Sequence, residues 1–223
     1  MQNKKIVIFG NTKFAEMIRY YIETETDDTI IGYTVDREFI EKSAIEGVEL
    51  VPFEVIDSLY SKEEVKILPV IGYNRMNNIR KDIFNRIKSK GYEVASFVHH
   101  TAKIAQNCKL GEGNIFLENT LVQPFVSIGS GNVFWSNVNI SHHTSIGNYN
   151  FFAPSASISG NVKIENNCFV GNNSTIKNEV IISDFTLIGA GAYISKNTKE
   201  YSIVVPAKSQ LLVNKSSMDI DLH

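Results

Sequence analysis

The sequence predicts two fold classes in one chain, a small parallel α/β domain over residues 1–97 and an all-β parallel β-helix over residues 98–223. Two observations lead to this prediction. Apolar residues recur at every sixth position from Val98 to Ile194 without a single insertion. The first 97 residues instead alternate short apolar runs with segments of helical periodicity, so the two parts of the chain follow different rules.

The six-residue repeat defines the second domain. Every sixth residue from Ile104 to Ile194 is apolar, and the residue two positions earlier is mostly small or β-branched, with Asn114, Asn132 and Asn150 as polar members. This period fits a short strand followed by a corner, and three such units close a triangular coil of eighteen residues. Successive coils then pair as parallel strands about 4.8 Å apart. A sandwich of ordinary alternating strands would not keep one register over this length.

The first 97 residues predict alternating strands and helices. In order, these are a strand at 5–10, a helix after the capping residue Thr12, a strand at 29–35, a short helix at 52–60, a strand at 65–71, a helix at 76–87 and a strand at 92–98. Strands that alternate with helices indicate a parallel sheet of Rossmann type.

The edge of this sheet is the predicted ligand site of the first domain. Dinucleotide binding is disfavoured, because a G-x-G-x-x-G fingerprint would follow the first strand and only Gly10 is present. Open parallel sheets nevertheless bind ligands beyond the carboxyl ends of their strands. The residues predicted to form this crevice are Asn11, Thr12, Asp36, Arg37, Gly72 and Asn74.

Composition excludes several classes of function. The net charge is −2 with 21% charged residues, so no electrostatic case exists for nucleic acid or an anionic membrane. No apolar run is long enough to span a membrane, and the first residues lack a signal-peptide core. Cys108 and Cys168 fall on different faces of the β-helix, several coils apart, so they predict free thiols in a reducing cytoplasm.

Histidine is the main candidate for chemistry on the β-helix. His142 follows an inward position and is expected to point outward, with Pro124, Gly160 and Asn178 at the same corner of neighbouring coils. An imidazole beside a stacked glycine pairs a proton acceptor with a backbone N–H that can hold an oxyanion. The alternative is that His142 and His143 are surface residues with no role in catalysis.

The other three histidines do not indicate a catalytic or metal site. His99, His100 and His223 are expected to be solvated. A zinc site is also disfavoured, since adjacent residues of a strand point to opposite sides and His142 and His143 would not chelate one ion. We therefore expect no metal.

Three segments resemble sugar acyltransferases of the PglD/NeuD type, bacterial enzymes that acetylate nucleotide-linked amino sugars. Residues 140–147, Ile-Ser-His-His-Thr-Ser-Ile-Gly, are similar to the catalytic I-x-H-E/D-x-x-I-G of that family. Residues 159–162, Ser-Gly-Asn-Val, match its A/S-G-N-V, and Gly72-Tyr73-Asn74 with Arg80 is similar to its I-G-x-N…R. The resemblance covers nearly the whole chain, and it implies a left-handed β-helix.

The resemblance also implies a reaction. Members are homotrimers that hold acetyl-CoA in a groove between neighbouring β-helices and take the amino sugar from the α/β domain. His142 would act as the general base on the sugar amine, and the Gly160 N–H would hold the oxyanion. The acetyl-CoA-binding residues implied by the resemblance are Gly160, Asn178, Gly189, Ala190, Pro206 and Lys208.

Three departures from the family pattern affect this prediction. His143 stands where the family has Glu or Asp to orient the catalytic histidine, so its role is open between an alternative hydrogen-bond acceptor and none. Lys13-Phe14-Ala15 replaces a Gly-His-Gly segment, so the sugar nucleotide or its placement is expected to differ. Val205 replaces a glycine before Pro206-Ala207-Lys208.

The sequence as a whole favours an acetyl-CoA-dependent N-acetyltransferase acting on a nucleotide-linked 4-amino-4,6-dideoxy sugar for surface glycans. O-acetylation, transfer of a longer acyl chain, and a non-catalytic β-helix scaffold are the alternatives. An amine needs only a base to attack, whereas the sequence offers no second group to activate a hydroxyl.

Overall fold

The computed structural model describes residues 4–209 and Met218. Its first part is a six-stranded sheet in the order β3-β4-β2-β1-β5-β6, parallel except for the antiparallel β3–β4 pair. The strands are β1 (Lys5–Phe9), β2 (Thr29–Val35), β3 (Ala44–Ile45), β4 (Val48–Pro52), β5 (Val65–Pro69) and β6 (Glu93–Val94). The helices are α1 (Lys13–Glu25), α2 (Ile56–Leu59) and α3 (Asn78–Ser89).

The α/β part differs from the prediction at four places. The β3–β4 hairpin was not predicted, and Pro52 ends β4 instead of beginning a helix, which follows as a short 3₁₀ turn and then α2. Thr12 is the N-cap of α1 but its side chain makes no capping hydrogen bond. Helix α3 begins at Asn78, because the preceding residues 75–77 all have positive φ angles, from 49° to 64°.

The second part is a parallel β-helix with three sheets. Its two-residue strands are β7 (Phe97–Val98), β8 (Lys103–Ile104), β9 (Lys109–Leu110), β10 (Ile115–Phe116), β11 (Leu121–Val122), β12 (Ser127–Ile128), β13 (Val133–Phe134), β14 (Asn139–Ile140), β15 (Ser145–Ile146), β16 (Phe151–Phe152), β17 (Ser157–Ile158), β18 (Lys163–Ile164), β19 (Phe169–Val170), β20 (Thr175–Ile176), β21 (Ile181–Ile182), β22 (Leu187–Ile188), β23 (Tyr193–Ile194) and β24 (Ile203–Val204).

The strand pairing gives the predicted coil length. From β7 to β23, residues eighteen apart are partners, as in Asn139↔Ser157 and Ser157↔Thr175, and every third strand belongs to the same sheet. In the last coil, Leu187 pairs with Ile203, sixteen residues further on. The predicted inward positions are buried along most of the prism, which confirms the parallel β-helix. Leu110 is 43% exposed, because β9 is the edge strand of its sheet and lies in the first coil.

A ladder of buried amides lines one inner corner of the prism. The Oδ1 atoms of Asn114, Asn132 and Asn150 accept the backbone N–H of Asn132, Asn150 and Cys168 at 2.9, 2.8 and 2.7 Å. Each asparagine also donates to a backbone carbonyl, so the buried polar atoms are paired. The two cysteines are free thiols.

One face of the prism packs on the α/β part. Outward side chains of the sheet that runs from β7 to β24, among them Ile115, Val133 and Phe151, share an apolar core with Ile18 and Ile22 of α1. Phe14 stacks on Trp135 with the ring centroids 5.3 Å apart. The α/β part therefore packs against this sheet.

His99 lies in this contact region and is buried, with 4% exposure, so the prediction of a solvated side chain is wrong. Its Nε2 lies 3.1 Å from Glu25 of α1, and the exposed His100 contacts the same carboxylate. Nearby, the Tyr21 hydroxyl donates to Glu118, which with burial raises the pKa of Tyr21 to about 12. His223 lies outside the described residues. No helix in the described part of the chain has the length and apolar character of a membrane span.

Candidate active site

The corner between β14 and β15 presents His142 and His143 to solvent. His142 N–H donates to Gln123 Oε1 at 3.0 Å, and His143 N–H donates to the carbonyl of Pro124 at 3.3 Å. From the next coil, Asn161 N–H donates to the His142 carbonyl at 3.0 Å. The corner is thus fixed by the coils on both sides, so that its side chains extend from a rigid backbone.

The ring of His142 lies against Gly160, one coil further on. A Cβ atom on Gly160 would lie 2.7 Å from Cε1 and 3.0 Å from Nε2 of the imidazole, so only glycine permits this contact. The Gly160 carbonyl accepts a bond from Glu179 N–H, while its own N–H has no hydrogen-bond partner among the described residues. An imidazole and an unpaired backbone donor therefore occur side by side, which suits acyl transfer.

The two histidine rings of this corner are in contact. Their Nδ1 atoms lie 3.1 Å apart and the ring planes are nearly perpendicular, at 82°. The expectation that the two side chains point to opposite sides is wrong, because the residues lie in a turn and not within a strand. A third metal ligand is absent here, since the described residues contain one cluster of three such groups, Glu25, His99 and His100, in the contact region of the two parts.

Phe125 is a site feature that the sequence argument missed. It lies one coil before His143 and stacks on that ring, with centroids 4.7 Å apart and an interplanar angle of 24°. Its side chain is 62% exposed. The spacing of eighteen residues between Phe125 and His143 places the two side chains in adjacent coils, and this spacing is visible in the sequence.

The predicted crevice is present at the edge of the α/β sheet. Asn11, Thr12 and Asp36 line a cavity of about 150 Å³. Asp36 accepts two hydrogen bonds from Arg86 of α3, one of them at 2.9 Å, so its carboxylate is already paired. The same bonds raise the pKa of Arg86. No sequence motif identifies Arg86, because its contact with Asp36 depends on how α3 packs against the sheet.

The other three predicted crevice residues do not line this cavity. The Gly72 carbonyl accepts a bond from Arg80 at 2.6 Å, and Asn74 is exposed. Arg37 donates its backbone N–H to Glu54 and lies beside a different, shallower depression. The structure therefore brings together half of the predicted set.

The residues implied for acetyl-CoA occupy two corners. Asn178 is exposed in the same corner column as His142 and Gly160, one coil beyond Gly160. Gly189 and Ala190 belong to another corner, where Pro206 covers Gly189 so closely that a Cβ there would lie 3.2 Å from Pro206 Cδ. Lys208 is exposed in the segment that follows.

His142 and the crevice lie on different sides of the molecule. The α/β part packs on the sheet that runs from β7 to β24, whereas the His142 corner joins the other two sheets of the prism. In a triangular prism this corner is opposite that sheet. A single chain therefore keeps its own crevice away from its own His142.

Comparisons with known proteins agree with this architecture. Residues 143–178 match the family model described as bacterial transferase hexapeptide (six repeats). A search of curated proteins gives no match. Among solved structures, the acetyltransferase domain of PglB from Neisseria gonorrhoeae is similar, with 17% identity, a TM-score of 0.81 and coverage of 91% of this chain and 97% of that one. That domain has also been solved in complex with acetyl coenzyme A.

Two further structures show the same likeness. PerB from Caulobacter crescentus, in complex with CoA and GDP-perosamine, has 18% identity and a TM-score of 0.80, covering 90% of this chain and 93% of PerB. WeeI from Acinetobacter baumannii has 18% identity and a TM-score of 0.71, covering 92% of this chain and 94% of WeeI. The fold class predicted from the sequence is confirmed, and the chain has the fold of these proteins, an α/β part joined to a hexapeptide β-helix.

Proposed function

We propose that this chain is an acetyl-CoA-dependent N-acetyltransferase that acts on the amino group of a nucleotide-linked 4-amino-4,6-dideoxy sugar in surface glycan biosynthesis. The observation that carries the proposal is the His142 ring lying against Gly160, whose N–H is unpaired in the described structure. This arrangement supplies a base and an oxyanion donor at one exposed point. A scaffold would not require glycine under an imidazole.

The reaction follows from these groups. The amine nitrogen attacks the thioester carbonyl carbon, and His142 Nε2 accepts the proton that the nitrogen loses. The carbonyl oxygen becomes negative and is stabilised by the Gly160 N–H. The C–S bond then breaks, the proton passes to the sulfur, and the products are the N-acetyl sugar and CoA. No covalent bond to the protein is needed.

The site is proposed to be shared between two copies of the chain in a homotrimer. The crevice of Asn11, Thr12 and Asp36 holds the nucleotide, and a second copy supplies His142, because the two lie on different sides of one chain. Acetyl-CoA would lie between the copies, with its chain beside Asn178 and its adenine end toward Gly189, Ala190, Pro206 and Lys208. PerB, solved with CoA and GDP-perosamine, supports a nucleotide-linked amino sugar as the substrate class.

Arg37, Gly72 and Asn74 remain proposed substrate contacts, although they do not line the cavity that contains Asn11, Thr12 and Asp36. O-acetylation is the second candidate within the class, and a hydroxyl nucleophile would need a second activating group. The proposed acetyl donor does not require a metal.

The test is the His142→Ala variant, assayed by release of free CoA thiol with acetyl-CoA and a nucleotide-linked amino sugar. We expect kcat to fall at least about 100-fold, the lower range for loss of a general base. His100→Ala is the matched control, since His100 is also exposed but contacts Glu25. Light scattering and thermal melting verify that both variants keep the assembly. Full activity in His142→Ala would contradict the proposal.

A further inference from the structure

The corner that carries His142 has an unusual neighbour in Phe125. Phe125 and His143 both have positive φ angles, 67° and 58°, which bulky side chains rarely adopt. The equivalent turn position is Asn161 in the next coil, and asparagine tolerates this backbone well. The backbone conformation of this turn therefore does not favour an aromatic residue.

Burial does not explain Phe125 either. Its ring is 62% exposed and stays outside the apolar interior of the prism. Its aromatic contact is the face of the His143 ring, at 4.7 Å. Phe125 thus restricts the plane in which the His143 imidazole lies.

The fixed His143 ring in turn faces His142. With the Nδ1 atoms 3.1 Å apart, one nitrogen donates and the other accepts. If the proton is on His142 Nδ1, its Nε2 carries a lone pair beside Gly160. If the proton is on His143 Nδ1, His142 carries its hydrogen on Nε2 and is not a base.

We propose that Phe125 and His143 form a positioning pair that holds His142 in the Nδ1–H tautomer, with its Nε2 free to accept the proton of the substrate amine. In this pair, Nδ1 of His143 accepts the Nδ1–H of His142, which is the hydrogen bond that a carboxylate at position 143 would accept. The inference rests on the proposed function for its kinetic consequences, whereas the tautomer is a property of the free protein.

No other group in the described structure can take over this task. Among residues 4–209, no charged side chain forms a hydrogen bond or ion pair with either ring. Gln123, the polar neighbour, is engaged by the backbone N–H of His142. His143 is therefore the hydrogen-bond partner available to His142 Nδ1.

The direct test is a long-range ¹H–¹⁵N NMR spectrum of the free protein, which separates the two tautomers by the ¹⁵N shifts of the ring. We expect His142 to carry its proton on Nδ1 in the wild type. In His143→Leu, which removes the acceptor, we expect a mixture of tautomers. A wild-type His142 with its proton on Nε2 overturns the proposal whether or not the protein transfers acetyl groups.

Kinetics provide the second test. His143→Gln keeps an acceptor and is expected to retain kcat within about tenfold, whereas His143→Leu should lose about 100-fold, the cost of a misplaced group. KM for both substrates should change little. In His143→Glu the acid limb of kcat/KM should move to higher pH, because a carboxylate favours the protonated imidazole. Equal losses in all three variants would indicate a merely structural role and contradict the proposal.

Phe125→Leu tests the other residue of the positioning pair. Losing the stacking contact should lower kcat by about 3- to 10-fold. Phe185→Leu is the matched control, because Phe185 also has a positive φ and stacks on Tyr201, but at a different corner. An unchanged kcat in Phe125→Leu removes Phe125 from the pair. A similar loss in the control would show that the effect is not specific to this corner.

Discussion

Arg80 donates a hydrogen bond from Nη1 to the carbonyl oxygen of Gly72 at 2.6 Å, deep between the two parts of the chain. The same guanidinium bonds the carbonyls of Ile71, Gly131, Tyr149 and Asn150, and it is completely buried. Three of these carbonyls belong to the β-helix and two to the end of the α/β sheet. One side chain therefore fixes the crevice relative to the prism.

Replacing Arg80 with Met should destabilise the protein strongly. Several buried carbonyls would lose their donor, and each unsatisfied group costs about 1–3 kcal/mol. We expect the free energy of unfolding, measured in urea, to fall by at least about 3 kcal/mol. Lys88→Met on the same helix is the control, because its ion pair with Glu112 is exposed and should contribute less than about 1 kcal/mol. Similar midpoints for both variants would contradict this account of Arg80.

Gly160→Ala should inactivate the enzyme without unfolding it. The added methyl group would displace the His142 ring, since a Cβ there lies 2.7 Å from Cε1. Because the ring is exposed and can swing outward, we expect a small change in melting temperature but a loss of kcat of about 100-fold. Ser159→Ala is the control at the preceding residue. Retained activity in Gly160→Ala would show that this contact is not part of the site.

The two thiols should differ in reactivity. Burial raises the pKa of Cys168 to about 12, so little thiolate is present at pH 8. Cys108 is half-buried. Iodoacetamide at pH 8, followed by mass spectrometry, should leave Cys168 unmodified in the native protein and label both residues in urea. Rapid native labelling of Cys168 would mean that the coil around it opens.

The sharing of the site between copies can be tested by complementation. His142→Ala lacks the base and Asp36→Ala alters the crevice, so each homotrimer should have little activity. If each site combines the crevice of one copy with the histidine of another, random co-assembly restores about a quarter of the sites. Co-expression of differently tagged chains and purification of mixed trimers provide the sample. No recovery in verified mixed trimers would place both halves in one chain.

The repeat made the β-helix predictable, because each coil needs one apolar residue per strand at a fixed spacing. The same spacing placed His142 and Gly160 at one corner. The burial of His99 was not predictable in this way, since it depends on Glu25 at the end of α1. The pairing of Asp36 with Arg86 likewise depends on how α3 packs.

His143 is an exception to the rule that successive side chains point to opposite sides of a strand. Alternation holds for extended residues, and His143 has a φ of 58° in a turn, which brings its ring to His142. The β3–β4 hairpin was missed because β3 has only two residues, and because Pro52, which ends β4, is also typical of the first turn of a helix. Both features depend on turn geometry, which the apolar pattern does not record.

Transfer of an acetyl group to a sugar amine is tested most directly by the release of CoA thiol from acetyl-CoA. The wild-type protein is assayed with a panel of nucleotide-linked 4-amino-4,6-dideoxy sugars and their 4-hydroxy analogues. We expect turnover of at least one amino sugar and none of its hydroxyl counterpart. Turnover of the hydroxyl analogue alone, or of no member of the panel, would contradict this expectation.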